Sequence, residues 1–410
     1  MKLNVIGDQG KAVDWFFLYK LPAGATDPTG ESRKRSVGYE YVYFDAASKQ
    51  LPALSPHTLK DQRGALYETL AQIYTTSSTG GRILYNDEKP LGKDNGACGH
   101  TKGVLAFDTK SDTAFWLMHS TPKFPKASDP KFPVSGHGNG QSFLCITLRN
   151  VADAEKIATV MHQQTQPQTY GCVIPKSLAN DSPLRILSQG VDLDSKDPPV
   201  SGHVRTKGGH TFRVFAKNRA WDDDLWRDLV AIELGVDISV ETWRRLALSR
   251  DAEGGKEAKG DKEDVDDVRY INLEHLGIPY EWRFTKDHAK LGTAKEYDWI
   301  VGADINRDES QAKRGGGALA FQSRLLWEGL TRAEVIYDPT ADLEYQKELA
   351  KKTSKPVART NKGQTRRGGS RSLNVPLDTE ELAALENVVQ RSPQINTLSD
   401  AVKQLIRQLE

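Results

Sequence analysis

The sequence predicts an α/β protein built as a pseudo-symmetric pair of halves, each a mixed sheet flanked by helices, with a small strand-helix-helix module at the C-terminal end. Three observations carry that expectation. A His-x-Lys triplet, His100-Thr-Lys102, returns far along the chain as His288-Ala-Lys290. Each triplet is followed by a short apolar run that reads as a strand and closes on a small or polar residue: FWLMHS, Phe115 to Ser120, after the first, and DWIVGADIN, Asp298 to Asn306, after the second. Internal repetition of this kind is what two similar halves meeting across one pocket would supply. The third observation is a change of character after about Asp338, where apolar periodicity stops and later resumes. At 410 residues the chain exceeds one average domain, and 38% apolar residues suffice for a core.

Trp15 to Pro22 and Tyr39 to Ala46 are aromatic-rich and read as strands on either side of a Gly/Pro/Ser-rich turn. Leu66, Leu70 and Ile73 recur at helical spacing, so Leu59 to Tyr74 is expected to be a helix. Phe143 to Leu148 reads as a strand and Ala152 to Gln163 as a helix. In the second half Thr211 to Lys217 repeats the strand theme, a helix follows from near Asp222 to Gly235, and another is expected over Val240 to Leu248. Asp251 to Asp267 is rich in Gly, Lys and acids and reads as a solvated loop, after which RYINL and WIVGAD resume the strands. Asp222, Asp223 and Asp224 suit the first turn of a helix, where acids favour the macrodipole, better than a metal site.

The segment from Lys351 to Ser372 holds eight Lys or Arg residues and no acid, the composition of a flexible basic linker. Beyond it Leu373, Val375 and Leu377 alternate as a strand, while Leu382, Leu385 and Val389, then Val402, Leu405, Ile406 and Leu409, line two helices. The expected division is 1–338 for the body, with halves of roughly 1–185 and 186–338, then a linker over 339–372 and the small module over 373–410.

A net charge of +1 excludes no partner class, because the basic residues are unevenly placed. Cys98, Cys145 and Cys172 show no CxxC spacing, so neither a zinc cluster nor a disulfide framework is expected, and Cys98 reads as a buried structural thiol. Asn4 and Gly7-Asp8-Gln9-Gly10 interrupt the N-terminal apolar residues, and no run reaches membrane-span length. The expectation is a soluble cytoplasmic protein with no membrane partner, non-classical export staying open.

Residues i and i+2 of an extended segment share a face, so each histidine and its lysine can point at one ligand. Two imidazoles and two ammonium groups suit phosphodiester cleavage. One neutral imidazole attacks phosphorus in line, the other, protonated, donates to the leaving alkoxide, and Lys102 and Lys290 hold the non-bridging oxygens. No metal or cofactor is required. The residues leave open which histidine attacks. Ser120, His119 and Asn306 are candidates for orienting roles, and Lys313 and Arg314 for contact with flanking phosphates. The remaining histidines have no repeated partner and read as surface or structural.

In their surroundings these motifs resemble the deoxyribonuclease II family. GDQGKAVDWFFLYKLP is similar to that family's start, GHTKGVLAFD with FWLMHSTPKFP to its first catalytic block, and DHAKLG with WIVGADINRDESQAKRGGG to its second. The resemblance spans roughly Met1 to Ala333. It implies a phospholipase D-like two-half fold and a metal-independent endonuclease that passes through a phosphohistidine and leaves 3'-phosphate and 5'-hydroxyl ends, with His100 as nucleophile and His288 as general acid. The chain departs from the wider superfamily in having Phe107 and Lys295 where an acid is expected five positions after each lysine, Asp108 and Asp298 standing out of register. The Gly-x-x-Asn element is only approximated by Gly302 to Asn306.

The C-terminal module resembles a ribbon-helix-helix, which implies a homodimer through this segment, with Arg366, Arg367 and Arg371 of the basic leader adding DNA-phosphate affinity. Two other functions fit the same residues: a phosphodiesterase of this mechanism acting on a substrate such as phospholipid, and a non-catalytic DNA-binding dimer. Intact His and Lys in both triplets speak against the second.

Overall fold

Two large sheets dominate the computed structural model, which describes residues 2–29, 34–75, 77–92, 95–243 and 264–336. All of these belong to one unit, Met1–Asp342. The first sheet has eight strands, in the order Thr169–Val173, Gly80–Asn86, Lys102–Asp108, Thr113–His119, Gln141–Leu148, Trp15–Lys20, Glu40–Asp45 and Ala53–Thr58. Every pairing in it is antiparallel. Side chains alternate across a strand, and both faces of this sheet are covered. Trp15, Phe17 and Tyr19 join one apolar cluster, while Phe16 and Leu18 join another against Leu66 and Leu70 of the helix Ala65–Ala71.

The second sheet gathers Val200–Arg205, Thr211–Lys217, Gly316–Gln322, Trp299–Ala303, Lys290–Ala294, Ile238–Thr242 and Val265–Asn272 in order, and continues through Glu281–Arg283. Its one parallel pairing among the described residues joins Ile238–Thr242 to Val265–Asn272. The larger core holds residues of both sheets, Leu105, Trp116 and Leu144 from the first with Leu291, Ile300 and Leu319 from the second. The outer face of the second sheet packs on Trp226, Leu229 and Val230 of the π-helical turn Leu225–Ala231, whose cap is Asp224, accepting from the Trp226 amide at 2.9 Å.

The architecture is α/β, but its helices are distributed differently from the expectation: Pro183–Gln189 and Arg324–Thr331 are helices that the sequence reading missed, while two expected helices are cut back or replaced. The helix expected over Leu59 to Tyr74 shrinks to Ala65–Ala71 and a 3-10 turn, because Gly64, at φ 83°, breaks the helical backbone immediately before Ala65. Helix was expected from Val240, yet Ile238–Thr242 is a strand: Val240 is buried between Lys290–Ala294 and Val265–Asn272, and tertiary pairing overrides the local spacing. The solvated tract expected to end at Asp267 instead enters a strand at Val265, with Val265 and Asp267 both buried. The rest of those two segments, 244–263, lies outside the described residues, as do the linker and the strand-helix-helix module.

The two motif lysines occupy matching positions. Lys102 opens its strand opposite Asn86, and Lys290 opens its strand opposite Thr242. Each strand is bordered on its other edge by the next strand in sequence, Thr113–His119 in one sheet and Trp299–Ala303 in the other.

Candidate active site

Each motif histidine sits just before its strand and is seated on the opposite sheet's chain. The His100 amide donates to the Gly315 carbonyl at 2.9 Å, and the His288 amide donates to the Gly140 carbonyl at 2.9 Å. Glycine allows both approaches. A Cβ on Gly99 would lie 1.8 Å from the Thr165 carbonyl oxygen, and one on Gly140 would lie 2.5 Å from a carboxylate oxygen of Asp287. Asp287 is itself fixed, accepting from the Tyr19 hydroxyl, from Trp282 Nε1 at 2.6 Å and from the Ala289 amide at 2.8 Å.

The His100 ring is held at Nδ1, 2.7 Å from the backbone carbonyl of Asp304. A carbonyl only accepts, so Nδ1 carries a proton, and in neutral His100 the lone pair belongs to Nε2. Nε2 lies 3.7 Å from Asp87. The Asp87 carboxylate also pairs with Lys102 Nζ and, at 3.2 Å, with Arg314. Burial would raise its pKa, but Lys102, His100 and Arg314 outweigh that and hold the carboxyl well below the usual carboxylate range. Arg314 is further tied to the Cys98 carbonyl at 3.1 Å. The Cys98 thiol is buried and its pKa raised by that burial, so it stays protonated, as expected for a structural cysteine.

On the other side, Lys290 Nζ donates to the His288 carbonyl at 2.7 Å and its amide to Ser142 Oγ at 3.1 Å. The His288 ring meets Trp243 edge-on, centroids 5.6 Å apart. The two triplets share one electrostatic field. Burial first, then Lys102, push His100 well below the ordinary histidine value, with Lys290 adding to the effect. Burial, then Lys290 and Lys102, take His288 down to about 3. Lys290 falls to about 7, by burial and then by the charge of Lys102, and burial lifts the Asp304 carboxyl to about 7. Asp304 Oδ1 accepts from the Gly317 amide at 2.8 Å.

The lesser candidates divide. His119 is buried in the aromatic group of Phe124 and Phe143; its Nδ1 accepts from the Thr121 amide at 3.2 Å, its Nε2 has no hydrogen-bond partner among the described residues, and burial and then Lys102 depress its pKa. Ser120 is engaged within its own sheet, with Gln141 and with the Ser142 amide at 2.9 Å. Asn306 is buried and its Oδ1 has no hydrogen-bond partner among the described residues. Arg314 faces the site through Asp87, whereas Lys313 is exposed and turns toward Asp222 at 3.7 Å. Arg366, Arg367 and Arg371 lie outside the described residues.

Sequence reasoning passed over Asp87, Asp304 and Asp287. All three carry a legible signal, an acid immediately following the apolar run ILYN or WIVGA in the first two cases and immediately preceding His288 in the third.

Comparison with known proteins places this geometry in context. A family model described as Deoxyribonuclease II matches residues 5–340. The chain belongs to the deoxyribonuclease II family. It is an enzyme, a hydrolase of the nuclease class. It is 39% identical over 354 residues to a putative deoxyribonuclease-2 of Burkholderia pseudomallei (strain 1710b), covering 84% of this chain and 96% of that protein. Plancitoxin-1 of Acanthaster planci is 31% identical over 82% of this chain and 92% of its own length. Deoxyribonuclease-2-alpha of Sus scrofa is 30% identical, over 82% and 90% respectively. The family match takes in both His-x-Lys triplets, Asp87, Asp304 and Arg314, and ends before the basic tract.

Proposed function

We propose that this protein is an endonuclease that hydrolyses DNA phosphodiester bonds without a metal ion, through a phosphohistidine, leaving 3'-phosphate and 5'-hydroxyl ends. The observation that supports the reading is that each motif histidine is seated by its amide on the opposite sheet's chain, His100 on Gly315 and His288 on Gly140, an arrangement that suits two triplets acting on one phosphate. In this reading the matched lysine positions reflect a phospholipase D-like fold of two halves. His100 Nε2, the nitrogen left with the lone pair, attacks phosphorus as the bond to O5' breaks. His288 gives its proton to O5'. Water then attacks the phosphorus of the His100 adduct, loses its proton to His288, and releases the 3'-phosphate. Lys102, Lys290 and Arg314 stabilise the equatorial oxygens, the charge work a metal performs in other nucleases.

Plasmid cleavage in excess EDTA tests the reading. Nicking should persist, and 3'-end labelling should fail until a phosphatase is added. Loss of all cleavage in chelator with recovery in magnesium would overturn it. A phospholipid substrate is the competing assignment for the same groups, and vesicle hydrolysis measured beside plasmid cleavage separates the two. For the C-terminal tail we propose dimerisation and added phosphate affinity, on the strength of its apolar periodicity and basic leader.

A further inference from the structure

Among the described residues two lysines outside the triplets are fully buried, and each spends its ammonium on backbone carbonyls. Lys20 Nζ donates at 2.9 Å to each of three carbonyls, those of Leu21, Gly38 and His137. Lys217 Nζ likewise donates to three, those of Trp221 at 3.2 Å, Ala312, and Arg314 at 2.8 Å. An ammonium has three N–H groups, and each of these is matched by three convergent carbonyls. A buried cation is expensive, so such satisfaction points to a demand on the loops that supply the carbonyls.

The two lysines also hold the same place in their sheets. Lys20 ends Trp15–Lys20 and stands opposite Gln141. Lys217 ends Thr211–Lys217 and stands opposite Gly316. The residue just before Gln141 is Gly140, whose carbonyl receives the His288 amide, and the residue just before Gly316 is Gly315, whose carbonyl receives the His100 amide. Lys20 therefore pins the approach to Gly140 through His137, and Lys217 pins the approach to Gly315 through Ala312 and Arg314.

We propose that Lys20 and Lys217 are a duplicated pair of positioning residues, each clamping the loop on which the reacting histidine of the other triplet is seated. Lys20, in the first sheet, serves His288; Lys217, in the second, serves His100. Burial lowers the pKa of both, Lys20 to about 7 and Lys217 to about 8, against the smaller opposing pull of Asp287 and Glu40 on Lys20 and of Asp222, Asp223 and Asp224 on Lys217. The inference rests on His100 and His288 being the reacting pair, so its test has a readout that needs no turnover.

The experiment uses the full chain with histidine labelled at Cε1, the resonances of His100 and His288 being assigned from His100→Gln and His288→Gln. Lys20→Gln should shift and broaden the His288 signal and leave His100 in place; Lys217→Gln should do the reverse. Both should lower kcat on the order of a hundredfold, with KM changing far less. A shift confined to the histidine of the substituted lysine's own sheet, equal shifts of both histidines, or unchanged kcat in a folded variant would overturn the proposal. Should a Gln variant fail to fold, Lys→Arg at that position keeps the charge but replaces three convergent donors with a planar fork, and the same crossed pattern of shifts is required of it. Full activity in the His100→Gln or His288→Gln protein would instead sink the catalytic reading, whatever the lysine variants show.

Discussion

At the scale of single residues, the decisive contact is His100 Nδ1 on the Asp304 carbonyl, because it selects the tautomer and so, in the proposed mechanism, the atom that attacks. His100→Ala and His288→Ala should each lower kcat by on the order of a thousandfold, and the double variant should be little slower than either, because the proposed mechanism has the two act on one phosphoryl transfer. Plasmid nicking under single-turnover conditions measures this; losses that multiply would mean the histidines act in separate reactions. The pH dependence follows from the direction of both shifts. The nucleophile works only unprotonated, so the rate falls as pH drops through its pKa. The general acid works only protonated, so the rate falls as pH rises through its own. Both histidines lie below 6.5 in the free protein, which moves both limbs of kcat/KM acid of that value. A kcat/KM optimum on the alkaline side of 6.5, measured over a pH series at constant ionic strength, would contradict the assignment.

Secondary-structure elements bring the site together by backbone contact more than by side-chain packing. The turn before Lys102–Asp108 and the turn before Gly316–Gln322 touch at Gly99 and Gly315, with the Thr165 carbonyl wedged against both. Gly99→Ala should therefore force the His100 turn off its seat. Overpacking of this kind costs about 1–3 kcal/mol, and a displacement near 1 Å at the reacting atom costs on the order of a hundredfold in rate. Thermal unfolding and single-turnover cleavage of the same preparation check the two effects; a variant that is destabilised yet fully active would show that the seat does not position His100.

For the whole molecule, the family match ends at residue 340, close to the end of the unit Met1–Asp342. Removing residues 343–410 should then leave a folded nuclease with unchanged chemistry at saturating DNA. It should also yield a monomer, weaken DNA binding, and flatten the dependence of affinity on salt, because the eight cations between Lys351 and Ser372 are lost. Light scattering on both proteins and binding across a salt series measure these outcomes. An intact chain that stays monomeric, or a truncated one with the same salt slope, would remove the role proposed for the tail.

The sequence by itself determined the candidate reactive groups and their duplication. A two-residue spacing survives folding unchanged, so His100 with Lys102 and His288 with Lys290 were legible as pairs, and so were the long apolar strands Trp15–Lys20 and Gln141–Leu148, whose composition leaves few alternatives. Local pattern failed at Val240, where burial between two neighbouring strands overrode helical spacing, and such neighbours are invisible in a single chain read in order. Only the tertiary structure decided which groups surround the pairs. Asp87 reaches Lys102 and Arg314, Asp304 reaches His100, and Gly140 and Gly315 carry the histidine amides, across separations that no local rule spans. Burial also sets the proton affinities of both histidines, because desolvation depends on what closes over a group and not on its place in the sequence.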